Sequence, residues 1–365
     1  MHTRLAIFVH SLSGGGAEKA MFNLARSFSN RGIDVDLVLL RLEGPYLSQV
    51  PPEVRVVNLG GRRLLFSLNA LTRYLRQEQP TILLSTLDDT NIAAAWTRRL
   101  AGVTTRLVVN VQNTISQDAK NATQLKWRLM PQLARWFLPW ADAIVTVSQG
   151  VADDLVQIGL PSQSIHVIHN PVVTPELFQT AQETPQHPWF APGEPPVILG
   201  VGRLEKQKDF STLIRAFAQV QQQHAARLMI LGEGQERSHL EALVKELHLT
   251  EDVSLPGFVA NPYAYMSRSA VFVLSSLFEG LPTVLIEAIA VGTPVVSTNC
   301  KSGPAEILAD GRYGKLVSVG NIQDMAKAII ETLEMVPDTE SLQQRAFEFS
   351  LEKALNQYQQ VLQIN

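Results

Sequence analysis

One cysteine, Cys300, stands in 365 residues. It cannot close an internal disulfide or build a structural zinc site, so the composition suits a reducing compartment, by default the cytoplasm. Long apolar runs are missing too. No stretch of about 18 apolar residues occurs, which excludes a membrane-spanning helix and leaves peripheral contact as the only kind expected. The first apolar run extends only from Leu5 to Val9, too short for the core of a secretory leader, so secretion is not expected. There is little net charge: 31 Lys and Arg against 34 Asp and Glu give −3, which marks neither a nucleic-acid binder nor an acidic scaffold. The eight histidines show no metal-ligand spacing, so no metal and no cofactor are expected.

What is present is core-forming material. Hydrophobic residues make up 45% of the chain, and the length favours two domains of roughly 150–200 residues each. Short runs read as strands at Leu5–Val9, Val35–Leu40, Val54–Asn58, Ile82–Ser85, Leu107–Val111, Ile144–Val147 and Ile165–Ile168, with helical patterns between them. The rhythm restarts at Val197–Val201, Leu228–Leu231, Val253–Leu255, Val271–Leu274, Pro294–Ser297 and Leu316–Val319. Strands apolar on both faces that alternate with helices predict parallel sheets covered on both sides, hence two doubly wound α/β domains in tandem. The expected limits are 1–170 and 196–340, joined by a proline-dense linker over 171–195. Residues 341–365 read as a further helix that has no strand to accompany.

The near-neutral total hides an asymmetry. Residues 1–141 carry 17 Lys and Arg against 9 Asp and Glu, a net of +8, so the remainder carries −11. A basic N-terminal domain suits an anionic partner such as a lipid headgroup or lipid diphosphate; a merely solvated basic surface is the plainer reading.

Three segments carry chemistry. The first strand runs into Ser11-Leu12-Ser13-Gly14-Gly15-Gly16-Ala17-Glu18-Lys19 and a helix. Its glycines allow close backbone approach, and the helix N-terminus offers free N–H groups to an anion. Neither the P-loop spacing nor G-x-G-x-x-G is present, and a tight turn would also explain the glycines. The second domain opens on Gly202-Arg203-Leu204-Glu205-Lys206-Gln207-Lys208, where Arg203 and Lys208 can both reach a diphosphate. Further on stands Phe278-Glu279-Gly280-Leu281-Pro282-Thr283-Val284-Leu285-Ile286-Glu287. Pro282 suits a first helical turn, the N–H groups of Thr283, Val284 and Leu285 face an anion site, and Glu279 and Glu287 each reach a different hydroxyl.

The order Gly-Gly-Ala-Glu, Val-Gly-Arg-Leu-x-x-x-Lys, Leu-Gly-x-Gly, Pro-Gly-Phe and Glu-Gly-Leu-Pro with a second Glu eight residues after the first resembles the retaining GT-B glycosyltransferases of family 4 across nearly the whole chain. The resemblance implies two Rossmann-like domains facing a cleft, the donor held by the second, and the final helix returning to the first. Arg203 and Lys208 would then bind the donor diphosphate, Glu279 the hydroxyls of the transferred sugar and Glu287 the ribose. Gly15 and Gly16 would approach the phosphates, while the loops at Gly232 and at Gly257-Phe258 would form the base pocket. Where the family commonly has His-Asn after the fifth strand this chain has Gln112-Asn113, whose Gln112 amide would contact the donor sugar without a charge. Asp88 and Asp89, after the fourth strand, are alternative polar groups of the first domain that would face the cleft, with surface charge as the plainer reading, and Asn170-Pro171 resembles the family's interdomain hinge.

Residues 119–141 hold no acidic residue, four Lys and Arg, and Trp127, Trp136 and Trp140. With Arg128 beside the aromatic face this suits an interfacial helix, against core packing as the alternative; Arg62 and Arg63 are a second expected contact. The expected activity is retaining transfer of a hexose or N-acetylhexosamine from a nucleotide sugar, a UDP sugar in particular, to a polyprenyl-diphosphate-linked acceptor at the inner face of the membrane. A nucleotide-sugar 2-epimerase, a soluble-acceptor transferase and a non-catalytic sugar-binding subunit are the competing readings.

Overall fold

The computed structural model describes residues 3–61 and 64–364. The chain divides into two compact units, Met1–Pro171 with Leu351–Asn365, and Val172–Ser350. In the first, β1 (Arg4–Val9), β2 (Asp34–Leu39), β3 (Arg55–Asn58), β4 (Ile82–Thr86), β5 (Arg106–Val111), β6 (Ala143–Thr146) and β7 (Ile165–Val167) form one sheet in the order β3-β2-β1-β4-β5-β6-β7. In the second, β8 (Val197–Val201), β9 (Arg227–Leu231), β10 (Val253–Gly257), β11 (Val271–Leu274), β12 (Val295–Thr298) and β13 (Lys315–Val317) are ordered β10-β9-β8-β11-β12-β13. Every strand pair is parallel. The sequence explains why: β1, β4 and β9 carry Leu, Ile, Val and Met on both faces, and only a sheet covered twice buries such runs. Leu5, Ile7, Leu37, Leu84, Val108 and Phe28 form one core, and Leu213, Phe217, Ile230 and Val273 belong to the other. Each such side chain contributes roughly 1.5–3 kcal/mol on burial.

The strand order places a switch point in each unit. From β1 the chain passes through the helix Gly16–Asn30 to β2 on one side, and from β4 through Asp88–Ala101 to β5 on the other. β8 and β11 repeat the arrangement. Diverging connections open a crevice at the carboxyl ends of the two central strands, where doubly wound sheets bind ligands.

The sequence pattern over 341–365 resolves into two helices, Thr339–Ala346 and Leu351–Leu362. Between them Ser350 is extended, and the amides of Val172 and Val173 both donate to the Phe349 carbonyl, each at 3.1 Å. This pairing stops a helix that local pattern alone would continue. Only the second helix returns to the first unit: Tyr358, Leu355 and Leu362 are buried in its core, and the Asn110 amide donates to the Tyr358 hydroxyl at 2.8 Å. The proline-dense stretch 171–195 also departs from the linker reading. From Val172 it belongs to the second unit, and it holds the helix Pro175–Ala181, with proline at the first helical turn where its missing N–H costs nothing.

Candidate active site

In the second unit, the loops that leave β8 and β11 are tied together at the switch point. The Gln207 amide donates to the Phe278 carbonyl at 2.9 Å, the Leu277 N–H to the Gln207 carbonyl at 2.8 Å, and the Ser275 hydroxyl to the Lys208 carbonyl at 2.7 Å. The consequence is a fixed ion pair, with Lys208 Nζ 2.6 Å from Glu279 Oε1 and both side chains nearly buried, at 16% and 8% exposure. The Ser276 hydroxyl donates to the same oxygen at 2.6 Å. Burial in low dielectric makes such a pair strong but costly to assemble. Burial, with the charge of Glu279 beside it, pushes the Cys300 thiol up to about 12, which makes it a poor nucleophile. Arg203 has a different place: its side chain is 71% exposed and meets Glu205 at 3.1 Å, so it stands at the rim while Lys208 lies within.

Glycines bring the neighbouring backbones into contact. Gly232 has φ +142, and a Cβ there would lie 1.9 Å from the Gly202 carbonyl oxygen. The Gly232 N–H donates to the Gly257 carbonyl at 2.8 Å, which links the ends of β9 and β10. Phe258, next in the chain, is exposed. Glu287 is buried and accepts from the Tyr263 hydroxyl at 3.0 Å. The helix Thr283–Ala290 begins at Pro282 without a side-chain cap. Its Leu285 N–H is already given to the Pro282 carbonyl at 3.0 Å. This corrects the expectation of three open amides, because a tight first turn leaves only those of Thr283 and Val284 without a partner among the described residues. Gly303, at φ +93, lies against Pro282 and shapes this turn; a Cβ would sit 2.4 Å from Pro282 Cδ. Gly303 and Tyr263 carry no signal in the sequence and become informative only through spatial neighbours.

In the first unit, Gly15 and Gly16 are exposed at the end of the β1 loop, and Gly15 caps the helix Gly16–Asn30 with no side-chain hydrogen bond. Gln112 sits in a network of amide side chains. It is buried, and Nε2 donates to Asn110 and to Asn170, the latter at 3.2 Å, while Oε1 accepts from the Asn170 amide at 2.7 Å. Its two amide hydrogens are thus given to Asn110 and to the segment before Pro171, while Oε1 keeps one acceptor position. Asn113 is exposed. Asp88 and Asp89 are not plain surface charge. Asp89 Oδ1 lies 2.9 Å from His10 Nε2, and burial, with the charges of Asp118, Asp89 and Asp154, pushes the Asp88 carboxyl up to about 8. Among the described residues no group of His, Cys, Asp and Glu is arranged to hold a metal ion.

Two family models match the chain, "Glycosyltransferase Family 4" over residues 14–175 and "Glycosyl transferases group 1" over 182–349. An N-acetylgalactosamine-N,N'-diacetylbacillosaminyl-diphospho-undecaprenol 4-alpha-N-acetylgalactosaminyltransferase of Campylobacter jejuni is 32% identical over 355 residues, covering 91% of this chain and 90% of the relative. The chain is a group 1, family 4 glycosyltransferase. A lipopolysaccharide core biosynthesis glycosyltransferase of Rhizobium meliloti is 27% identical over 96% of this chain and 93% of its own length. Among solved structures, Anabaena HepE in complex with UDP-glucose superposes with a TM-score of 0.80 at 20% identity, covering 99% of this chain and 100% of that one. The lipopolysaccharide outer core galactosyltransferase WaaB gives 0.75 at 20% identity over 98% of each chain. The fold of this glycosyltransferase is therefore GT-B.

The basic, aromatic segment of the glycosyltransferase is a chain of short helices, Leu125–Arg128 and Met130–Phe137, broken where Pro131 and Pro139 start new turns. Leu125, Leu129 and Trp136 are exposed, Trp136 at 64%. The helix Asp88–Ala101 adds exposed Trp96 and Leu100. Trp96 packs 5.7 Å from Phe137 and 6.1 Å from Trp140, and Arg99 lies over the Trp140 ring at 4.3 Å. Trp127 is half-buried under Lys126, with Arg128 exposed beside it. Arg62 and Arg63 lie outside the described residues. No helix among those described is long and apolar enough to cross a membrane.

Proposed function

We propose that this glycosyltransferase moves a hexose or N-acetylhexosamine, with retention, from a UDP sugar to a hydroxyl of a saccharide carried on a membrane polyprenyl diphosphate. The single observation that carries the reading is the buried Lys208–Glu279 pair at the β8/β11 switch point. An ammonium and a carboxylate fixed side by side suit a ligand with a diphosphate and, beside it, a ring of hydroxyls. Lys208 and rim-standing Arg203 meet the diphosphate, and the open Thr283 and Val284 amides extend the anion site. Glu279 accepts from hydroxyls of the transferred sugar, Glu287 from the ribose, and the backbone around Gly232 and Gly257, with Phe258 beside it, receives the base. As the glycosidic bond breaks, negative charge grows on the leaving diphosphate, and preorganised cations lower that barrier without reorganising. In a front-face displacement the departing phosphate oxygen takes the acceptor proton, so the protein supplies position and charge rather than a base.

The acceptor belongs to the first unit in this reading, with Asn113 as a contact. The name of the Campylobacter relative, which includes a diphospho-undecaprenol acceptor, supports a lipid-linked substrate. The exposed Trp136, Leu129, Leu125, Trp96 and Leu100 beside Arg99, Arg128 and Lys126 suit peripheral docking on an anionic lipid surface. The test is a panel of nucleotide sugars, each offered with undecaprenyl-diphosphate-linked and with soluble saccharides. Transfer confined to a UDP sugar and a lipid-linked acceptor is expected. Free isomerised donor formed without any acceptor, or equal use of soluble saccharides, would overturn the reading.

A further inference from the structure

The two units repeat one geometry at their switch points. Lys208, after β8, meets Glu279, after β11, and in the first unit His10, after β1, meets Asp89, after β4. Nothing local in the sequence joins the second pair, which is 79 residues apart. His10 follows directly on the buried strand β1 and precedes the glycine-rich loop.

The proton on this histidine can be assigned. Burial opposes the charge of Asp89, but the hydrogen bonds that it accepts from His10 and from the Thr90 amide outweigh it, and its carboxyl is held below the usual range. An ionised carboxylate only accepts, so Nε2 carries the hydrogen and donates to Asp89 Oδ1. The ring's other nitrogen, Nδ1, has no hydrogen-bond partner among the described residues. The His10 side chain keeps 24% exposure, so a small polar ligand reaches it. The pair stands at the edge where doubly wound sheets bind ligands.

We propose that the His10–Asp89 pair is a saccharide-hydroxyl site of this glycosyltransferase, with Asp89 fixing the imidazole and Nδ1 accepting the hydrogen bond. The proposal rests on the glycosyl-transfer reading. It adds a contact residue, His10, and a positioning residue, Asp89, that no family motif carried. The same chemistry serves an acceptor sugar or the transferred sugar, and the two differ in which kinetic constant moves.

His10→Ala, Asp89→Asn and Asp89→Ala would be compared with the unsubstituted chain. The probes are UDP-N-acetylgalactosamine, an undecaprenyl-diphosphate-linked N-acetylhexosamine acceptor and its monodeoxy analogues. UDP binding by calorimetry reads the second unit separately. His10→Ala should raise the acceptor KM about tenfold, the size of one hydrogen bond, with UDP binding and the melting temperature unchanged. One monodeoxy acceptor should be penalised by the native chain and not by His10→Ala. Asp89→Asn, whose amide oxygen still accepts from Nε2–H, should retain far more activity than Asp89→Ala. A rise in donor KM with acceptor KM unchanged would assign the hydroxyl to the transferred sugar and equally uphold the site. Unchanged constants, or deoxy penalties that are the same in the variant and the native chain, would overturn it. Failure of the native chain to bind UDP would instead count against the donor reading.

Discussion

Lys208 Nζ and Glu279 Oε1 lie 2.6 Å apart across loops separated by 71 residues, and the Ser276 hydroxyl donates to the same carboxylate oxygen. The pair is too buried to be surface decoration, since removing either partner strands the other in low dielectric. Any substitution that neutralises one partner therefore has to be read for stability as well as for rate.

Glu279→Gln and Lys208→Met should each lower the transfer rate by about 10²–10³, the usual effect of deleting one preorganised contact to developing charge. Both should in addition cost about 3–5 kcal/mol of stability, because each leaves the partner's buried charge uncompensated, and Glu279→Ala should cost the same with the loss of side-chain volume added. Arg203→Ala, at an exposed site, should leave the melting temperature alone and raise the donor KM. Steady-state kinetics and thermal unfolding check all four, and near-native rates for Glu279→Gln would remove this residue from the site.

Gly232→Ala tests the backbone packing between the ends of β8 and β9. The residue has φ +142, and an added Cβ would meet the Gly202 carbonyl oxygen at 1.9 Å, a backbone atom that cannot swing aside as a flexible side-chain end would. A loss of roughly 2–4 kcal/mol in urea unfolding and a raised donor KM are expected, the cost of strain and clash together. Gly320→Ala, at φ +72 in open space, serves as the control and should cost about 1 kcal/mol. Equal losses in the two variants would mean that the loop contact has no special weight.

The fold was legible in the sequence because a buried parallel strand is a continuous apolar run. β8 and β11 are read with their observed limits, and the others within one or two residues. The loop residues Arg203, Lys208, Glu279 and Glu287 were legible as chemistry out of place in such runs. What pattern could not supply was partnership in space. Gln112 looks free in sequence, yet its amide is committed to Asn110 and Asn170. The helix read through residue 350 breaks there because Val172 and Val173 claim the Phe349 carbonyl. His10 meets Asp89 only once β1 and β4 are neighbours.

Asp88 gives the glycosyltransferase a pH-dependent stability. Burial first, then the charges of Asp118, Asp89 and Asp154, hold its proton up to about pH 8, whereas an unfolded aspartic acid loses it near about 3.9. Between these values the folded chain binds the extra proton, so this contribution is complete below about pH 4 and is lost as the pH rises towards 8. Asp88→Asn stays neutral throughout. Its melting temperature should gain on that of the native chain from pH 5 to pH 8, and parallel profiles would contradict the burial of this carboxyl.

The exposed aromatic surface gives a salt-sensitive expectation. The chain should sediment with phosphatidylglycerol vesicles more than with phosphatidylcholine vesicles, and less as salt rises and the Debye length shortens. Trp136→Ser should weaken binding without changing thermal stability, because this indole is 64% exposed. Equal binding to both lipids, or no effect of the substitution, would contradict peripheral docking through this surface.

The most direct measurement is the configuration of the newly formed glycosidic linkage, read from the anomeric C1–H1 coupling after transfer from an α-linked UDP sugar to an undecaprenyl-diphosphate-linked saccharide. An α linkage is expected, since the Lys208–Glu279 site is read as stabilising departure and attack on one face of the sugar. A β linkage would contradict retention and the role given to that site.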